Sequence, residues 1–209
     1  MTQGQRSYGS NGKQNMLFPL PFIYVSQGEG GDYSHQGLLA IDFIGWNTSG
    51  RVYECPYYAP CDLKLVAIFG SVSPLLIYES LEPVNFIDGT VNFICIGVAH
   101  DNETPHYEIC RVVRQGQILG HTGTYGNVTG DHVHMQINIG QYEGMIRNSY
   151  GNYEFKNPYH IYNACGINGT FIVQGEGYNW RDFQQSSTIP RRTNFPWVLY
   201  SKKLRNRKN

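Results

Sequence analysis

His132 and His134 stand one residue apart in Gly130-Asp131-His132-Val133-His134-Met135-Gln136-Ile137-Asn138-Ile139, a run in which polar and apolar residues alternate. In an extended strand the side chains at i and i+2 leave the same face, so the two imidazoles would project together. Imidazoles converging from a sheet suit zinc, which takes neutral ring nitrogens and carboxylate oxygens roughly 2.0–2.2 Å away and keeps one position for water in catalytic sites. Partners of the right type occur in Ser34-His35-Gln36-Gly37-Leu38-Leu39-Ala40-Ile41-Asp42, where a histidine and an aspartate flank a short apolar segment that could enter another strand. The chain holds seven histidines, and an isolated imidazole is more often a satisfied polar residue than a ligand. The surroundings of the pair therefore carry the decision.

The elements that would position these residues are strands. Tyrosine and glycine are abundant, charged residues make up only 15% of the chain, and no window sustains an i, i+3, i+4, i+7 apolar pattern over three turns. The chain reads as mainly β. Segments 22–26, 38–44 and 57–68 read as strands, with 46–50 as a loop; 75–78 and 91–99 read as core strands around a turn at Asp88-Gly89. The strand from His132 to Ile139 is expected to close the sheet. Glycines 116, 120, 123, 126 and 130 do not make a phosphate cradle, because no Gly-Lys-Ser/Thr follows and no helix is patterned after them. They are expected to allow tight turns and a close approach of substrate backbone.

The run Arg114-Gln115-Gly116-Gln117-Ile118-Leu119-Gly120-His121-Thr122-Gly123-Thr124-Tyr125-Gly126-Asn127-Val128-Thr129-Gly130-Asp131-His132-Val133-His134 resembles the signature of the lysostaphin-type zinc endopeptidases. The likeness extends to Ser34-His35-Gln36-Gly37 with Asp42-Phe43, to Ala59-Pro60-Cys61-Asp62-Leu63, and to the strand ending in Val98-Ala99-His100, in the family's order over most of residues 20–140. The resemblance implies antiparallel sheets with a groove holding a zinc site, and few short helices. By motif position it implies that His35, Asp42 and His134 bind Zn2+ while His132 and His100 stand beside it as catalytic residues. It also implies hydrolysis of peptide bonds in bacterial peptidoglycan, in the stem peptide or the cross-bridge.

One departure from the pattern is the spacing: six residues separate His35 from Asp42, where the commonest family form has three. That spacing also resembles the D-alanyl-D-alanine carboxypeptidase and dipeptidase class. The glycine-rich lead into His132 and the lack of a suitable ExxH downstream stand against that class. A third reading is a non-catalytic relative that binds cell wall or builds a phage tail. Asp131 could orient an imidazole but reads as a loop residue facing solvent, and His106, His121 and His160 read as surface residues.

At 209 residues the chain can bury one sizeable core. Three segments are expected: a polar leader over 1–15, the zinc peptidase domain over 16–164, and an extension over 165–209 with a basic tail. Arg191, Arg192, Lys202, Lys203, Arg205, Arg207 and Lys208 place seven cations and no acid after residue 190, which leaves residues 1–190 at −7. Such a tail is either a solvated terminus or a contact for anionic wall polymers; nucleic acid is not expected. The five cysteines are odd in number and lack a CxxC pair, which argues against a thiolate metal site and a fully paired disulfide scaffold and leaves packing as their role. The run Met16-Leu17-Phe18-Pro19-Leu20-Pro21-Phe22-Ile23-Tyr24-Val25 is too short and too rich in proline to span a membrane or act as a secretion signal. A wall hydrolase without such a signal fits a phage product, either an endolysin released from the host cytoplasm or a lysin carried on the virion.

Overall fold

A computed structural model describes residues 1–173 and 182–183 and, for the backbone alone, 174 and 198–200. Its centre is an antiparallel sheet of eight strands: β1 (Val25–Gln27), β2 (Ala40–Phe43), β3 (Leu63–Phe69), β4 (Leu75–Ser80), β5 (Ile94–Ala99), β6 (Val112–Val113), β7 (Val133–Ile139) and β8 (Pro158–Tyr159). They lie in the order β6-β3-β4-β5-β7-β2-β1, with β8 also paired to β7. The fold is mainly β, and among the described residues helix is confined to short pieces such as Ile161–Ala164 and a 3-10 turn at Thr104–His106. Segment 46–50, expected as loop, contributes to a small hairpin in which Trp46–Asn47 pairs with Gly50–Arg51.

The period of two decides what each face of the sheet does. Val133, Met135 and Ile137 of β7, Ile41 and Phe43 of β2, and Ile96 and Val98 of β5 all turn to one side and are buried there with Phe18, Leu20 and Ile23. The alternate residues turn to the other side, where Cys95 and Ala99 pack with Leu75, Ile77 and Phe155 in a smaller core. Phe155 comes from the hairpin of Met145–Arg147 and Tyr153–Phe155. Both faces are therefore covered, except at the end of the sheet where His100, His134 and Asp42 emerge.

β7 does not close the sheet. It lies between β5 and β2, with Ala99 and Asp42 on either side of His134. A strand with two paired edges can present one side chain to both neighbours, which an edge strand cannot.

The leader runs along the glycine loop, with Gly4 N donating to Gly116 O and Ser7 N to Gln115 Oε1. Cys165, Ile167, Ile172 and Phe183 join the main core, and Phe183 lies edge-on to Phe18. All five cysteines are free thiols; four are buried and Cys110 is exposed, so packing does not account for Cys110. The basic residues of the tail lie outside the described residues. Among the described residues no helix is long and apolar enough to cross a membrane.

Candidate metal centre

β7 and β2 deliver His134 and Asp42 to the same spot because the two residues are direct cross-strand partners. His35 reaches it from the loop before β2 and is fully buried. The three polar atoms form a nearly equilateral triangle: His134 Nδ1 to Asp42 Oδ1 is 3.0 Å, His35 Nε2 to His134 Nδ1 is 3.1 Å, and His35 Nε2 to Asp42 Oδ1 is 3.2 Å. Ligands about 2.0–2.1 Å from a tetrahedral ion stand about 3.4 Å apart, so the triangle fits zinc to within a few tenths of an ångström. The donor set, two imidazole nitrogens and a carboxylate oxygen, fits it as well. The long spacing between His35 and Asp42 is taken up by the turn residues before β2, so it does not keep the two apart.

Each group is prepared for this role by its neighbours. His35 Nδ1 lies 3.0 Å from Gly28 O, an atom that can only accept, so Nδ1 carries the proton and Nε2 presents a lone pair. Burial alone would raise the Asp42 carboxyl, but the hydrogen bonds and charges of His134 and His35 outweigh it and hold the group well below the usual carboxylate range. Gln27 Nε2 donates to Asp42 Oδ2 at 3.3 Å, which leaves Oδ1 for the triangle. Burial pushes the His134 imidazole below its ordinary value despite the opposing pull of Asp42. The set is thus an anionic carboxylate facing a neutral ring.

His132 and His100 stand beside the triangle. His132 Nε2 is 3.7 Å from Asp42 Oδ2, beyond hydrogen-bond reach, while its Nδ1 donates to Gly130 O at 2.8 Å. His100 Nδ1 donates to Tyr125 O at 3.0 Å, and its ring centre lies 4.6 Å from that of His132 and 6.1 Å from that of His134. Burial pushes the His100 imidazole down to about 4, with Tyr125 O opposing and the neighbouring histidines adding to the shift. His35, His100 and His132 therefore share one tautomer, each with Nε2 unprotonated, because each gives Nδ1–H to a backbone carbonyl.

His100 has φ of +80°, rare for a residue with a Cβ, and the surrounding chain holds it there. Tyr125 N donates to His100 O, and Gly123 packs so tightly that a Cβ would stand 2.3 Å from the same oxygen. Gly116 and Gly126 have the positive φ expected of turn glycines. Gly120 and Gly123, by contrast, are small to admit the protein's own Asp101 and His100, not substrate.

The site opens on a groove of about 1100 Å³ floored by Asp42, His100, His132 and His134. Glu29, Asp32 and Tyr33 and the segment Asn127 to Thr129 also line it. A second cavity of about 600 Å³ shares Ser26, Thr129 and His132 with it and runs on to Arg51.

Two sequence expectations change. Asp131 is buried, not solvent-facing: it accepts from Thr122 Oγ1 at 2.7 Å and from Glu54 N at 3.0 Å and touches no imidazole. His160 is more than a surface residue, since its Nδ1 is 2.7 Å from Glu29 Oε2 and its ring stacks on Tyr162. Sequence reasoning missed Gln136, whose Nε2 lies 3.0 Å from His134 Nε2. Its place two residues after His134 on the same strand face was the available signal.

No family model matches the chain. It is 37% identical over 174 residues to Morphogenesis protein 1 of Bacillus phage B103, an alignment that takes in 83% of this chain and 46% of that protein. The chain thus spans less than half the length of this curated relative. Among solved structures, the catalytic domain of the antimicrobial peptidase lysostaphin from Staphylococcus simulans aligns with a TM-score of 0.36 and 21% identity, covering 58% of this chain and 80% of that one. A zinc-containing peptidase from Vibrio cholerae aligns with a TM-score of 0.40 and 13% identity, covering 64% and 43%. Likeness at this level assigns neither activity nor residue roles.

Proposed function

We propose that the protein is a zinc-dependent endopeptidase that hydrolyses peptide bonds of bacterial peptidoglycan, in the stem peptide or cross-bridge, and that it is phage-encoded. The observation that carries this reading is the triangle of His35 Nε2, Asp42 Oδ1 and His134 Nδ1, with sides of 3.0–3.2 Å, at the floor of an open groove. These three residues would hold the ion. Bound zinc supplies a Lewis acid that polarises a carbonyl and makes water acidic enough to attack at neutral pH.

The chain's own residues do the rest. His132 and His100 line the groove beside the triangle, and the unprotonated Nε2 of one can accept the proton of an attacking water and return it to the departing amine. The ring that has taken this proton carries Nε2–H and can donate to the oxyanion that forms at the carbonyl before the proton passes on. The carbonyls of Gly130 and Tyr125 hold the tautomers that make both Nε2 atoms acceptors, and Gly28 O does the same for His35. The wall as substrate rests on the motif resemblance and on the phage relative. Anionic wall polymers would engage the basic tail, and neither nucleic acid nor membrane insertion is part of the reading.

The relative's name, a morphogenesis protein, favours a lysin carried on the virion over an endolysin. It also supports a second reading, a tail component that keeps the site without turnover. Zinc content and clearing of a peptidoglycan suspension, before and after chelation and zinc restoration, test the proposal. About one zinc per chain with chelator-sensitive clearing supports the enzyme, and the released peptides then separate an endopeptidase from a D-alanyl-D-alanine peptidase. Zinc without clearing on several wall types supports the tail component, and no zinc sinks the metal site. Detection of the protein by mass spectrometry in purified virions would exclude a purely endolysin role.

A further inference from the structure

The groove and the second cavity are lined differently. Glu29 and Asp32 line the groove with the triangle residues Asp42 and His134. The second cavity takes in His132 but neither Glu29 nor Asp32, and it is lined by Arg51. Arg51 belongs to the hairpin that follows the Asp42 strand, where it pairs with Trp46. Its Nη2 donates to Asp131 O at 2.9 Å, and its guanidinium lies over the Tyr53 ring at 4.7 Å. These contacts aim the side chain without neutralising it. Among the described residues no carboxylate comes within ion-pair distance, whereas Arg114 is paired to Asp62 at 2.8 Å. Gly130, next to Asp131, lies beside the Arg51 guanidinium, since a Cβ there would stand in ordinary contact, 3.8 Å, with Arg51 Nη2.

We propose that Arg51 is a substrate-binding residue that receives a carboxylate of the peptide on the His132 side of the scissile bond. The inference rests on the peptidase reading above. The two cavities share Ser26, Thr129 and His132, so a peptide that passes from the triangle over His132 into the second cavity comes to the guanidinium. The guanidinium fork can present two N–H donors, which match a carboxylate. Wall peptides carry such groups on D-glutamate, on diamino acids and at free D-alanine termini. A phosphate of a wall polymer shares the oxyanion chemistry.

The test uses the full zinc-loaded chain with muropeptide dimers freed of wall phosphate polymers, and the same material with its carboxylates converted to amides. KM is read where the chain cleaves, and the binding constant by calorimetry where it does not. Amidation is expected to weaken wild type by about tenfold or more with kcat little changed, and R51Q should handle both materials alike at the weaker level with its zinc content intact. Equal affinity of wild type for both, a preference that survives in R51Q, or no binding of either would overturn the subsite. Binding that ignores amidation yet is competed by poly(glycerol phosphate) would assign Arg51 to wall phosphate and overturn the carboxylate. Carboxylate-dependent binding without cleavage leaves the subsite standing and removes the peptidase reading; cleavage without preference does the reverse.

Discussion

Asp42 lies directly opposite His134 on neighbouring antiparallel strands, with Oδ1 3.0 Å from Nδ1. Two of the three candidate ligands are therefore fixed by sheet register, and a slip of one residue would send either to the opposite face. His35 alone comes from a loop, held through Gly28 O.

This arrangement separates the two histidines of the pair. His134→Ala removes a corner of the triangle and should lose both zinc and turnover. His132→Ala removes a group 3.7 Å from Asp42 Oδ2 and should keep about one zinc per chain while turnover falls by at least about a hundredfold. Metal analysis of the two purified variants checks this, and equal zinc loss in both would reverse the roles.

Gln136 should tune the metal through His134. If Nδ1 of His134 ligates, Nε2 carries a proton and needs an acceptor, and a flip of the Gln136 amide puts Oε1 where Nε2 now stands. Gln136→Leu should weaken zinc binding about 10- to 100-fold in a chelator competition, and Gln136→Glu should restore it. Unchanged affinity in the leucine variant would make the contact incidental.

The paired histidines were legible in the sequence because the strand alternates cleanly, and so was the mainly β architecture. The centre of the sheet was not. Whether Val133–Ile139 lies at an edge or in the middle depends on pairings with Ile94–Ala99 and Ala40–Phe43, both far away in sequence. The tautomers were also hidden, since the carbonyls of Gly28, Gly130 and Tyr125 have no side-chain signature. Asp131 looked like a solvent residue because aspartate beside glycine usually marks an open turn. Here two donors, Thr122 Oγ1 and Glu54 N, accompany it inward.

That inward carboxylate gives a prediction about stability alone. Asp131→Ala leaves the Glu54 N–H and the Thr122 hydroxyl without their acceptor, each at a cost of about 1–3 kcal/mol if no water replaces it. Denaturant unfolding should show a loss of about 2–4 kcal/mol, while zinc content stays the same because Asp131 touches none of the triangle. Zinc loss at full stability would place Asp131 in the metal centre after all.

Gly123 should matter to both histidines outside the triangle. It exchanges two backbone hydrogen bonds with His132, its N–H reaching His132 O at 3.0 Å and its O receiving His132 N–H at 3.1 Å. The Cβ of an alanine there would also stand 2.3 Å from His100 O, a backbone atom held in place by Tyr125 N and by its own positive φ. Neither neighbour is a flexible side-chain end, so the strain must move one of the two histidine backbones. Gly123→Ala should cost about 1–3 kcal/mol in stability, as overpacking generally does. Catalysis should suffer further, because a shift of about 1 Å at a positioned group can lower turnover about a hundredfold. Zinc should remain, since His35, Asp42 and His134 are held by other contacts. Unfolding curves, zinc content and kcat measured on one preparation would separate these effects, and wild-type kcat in a destabilised variant would show that neither His100 nor His132 needs its present position.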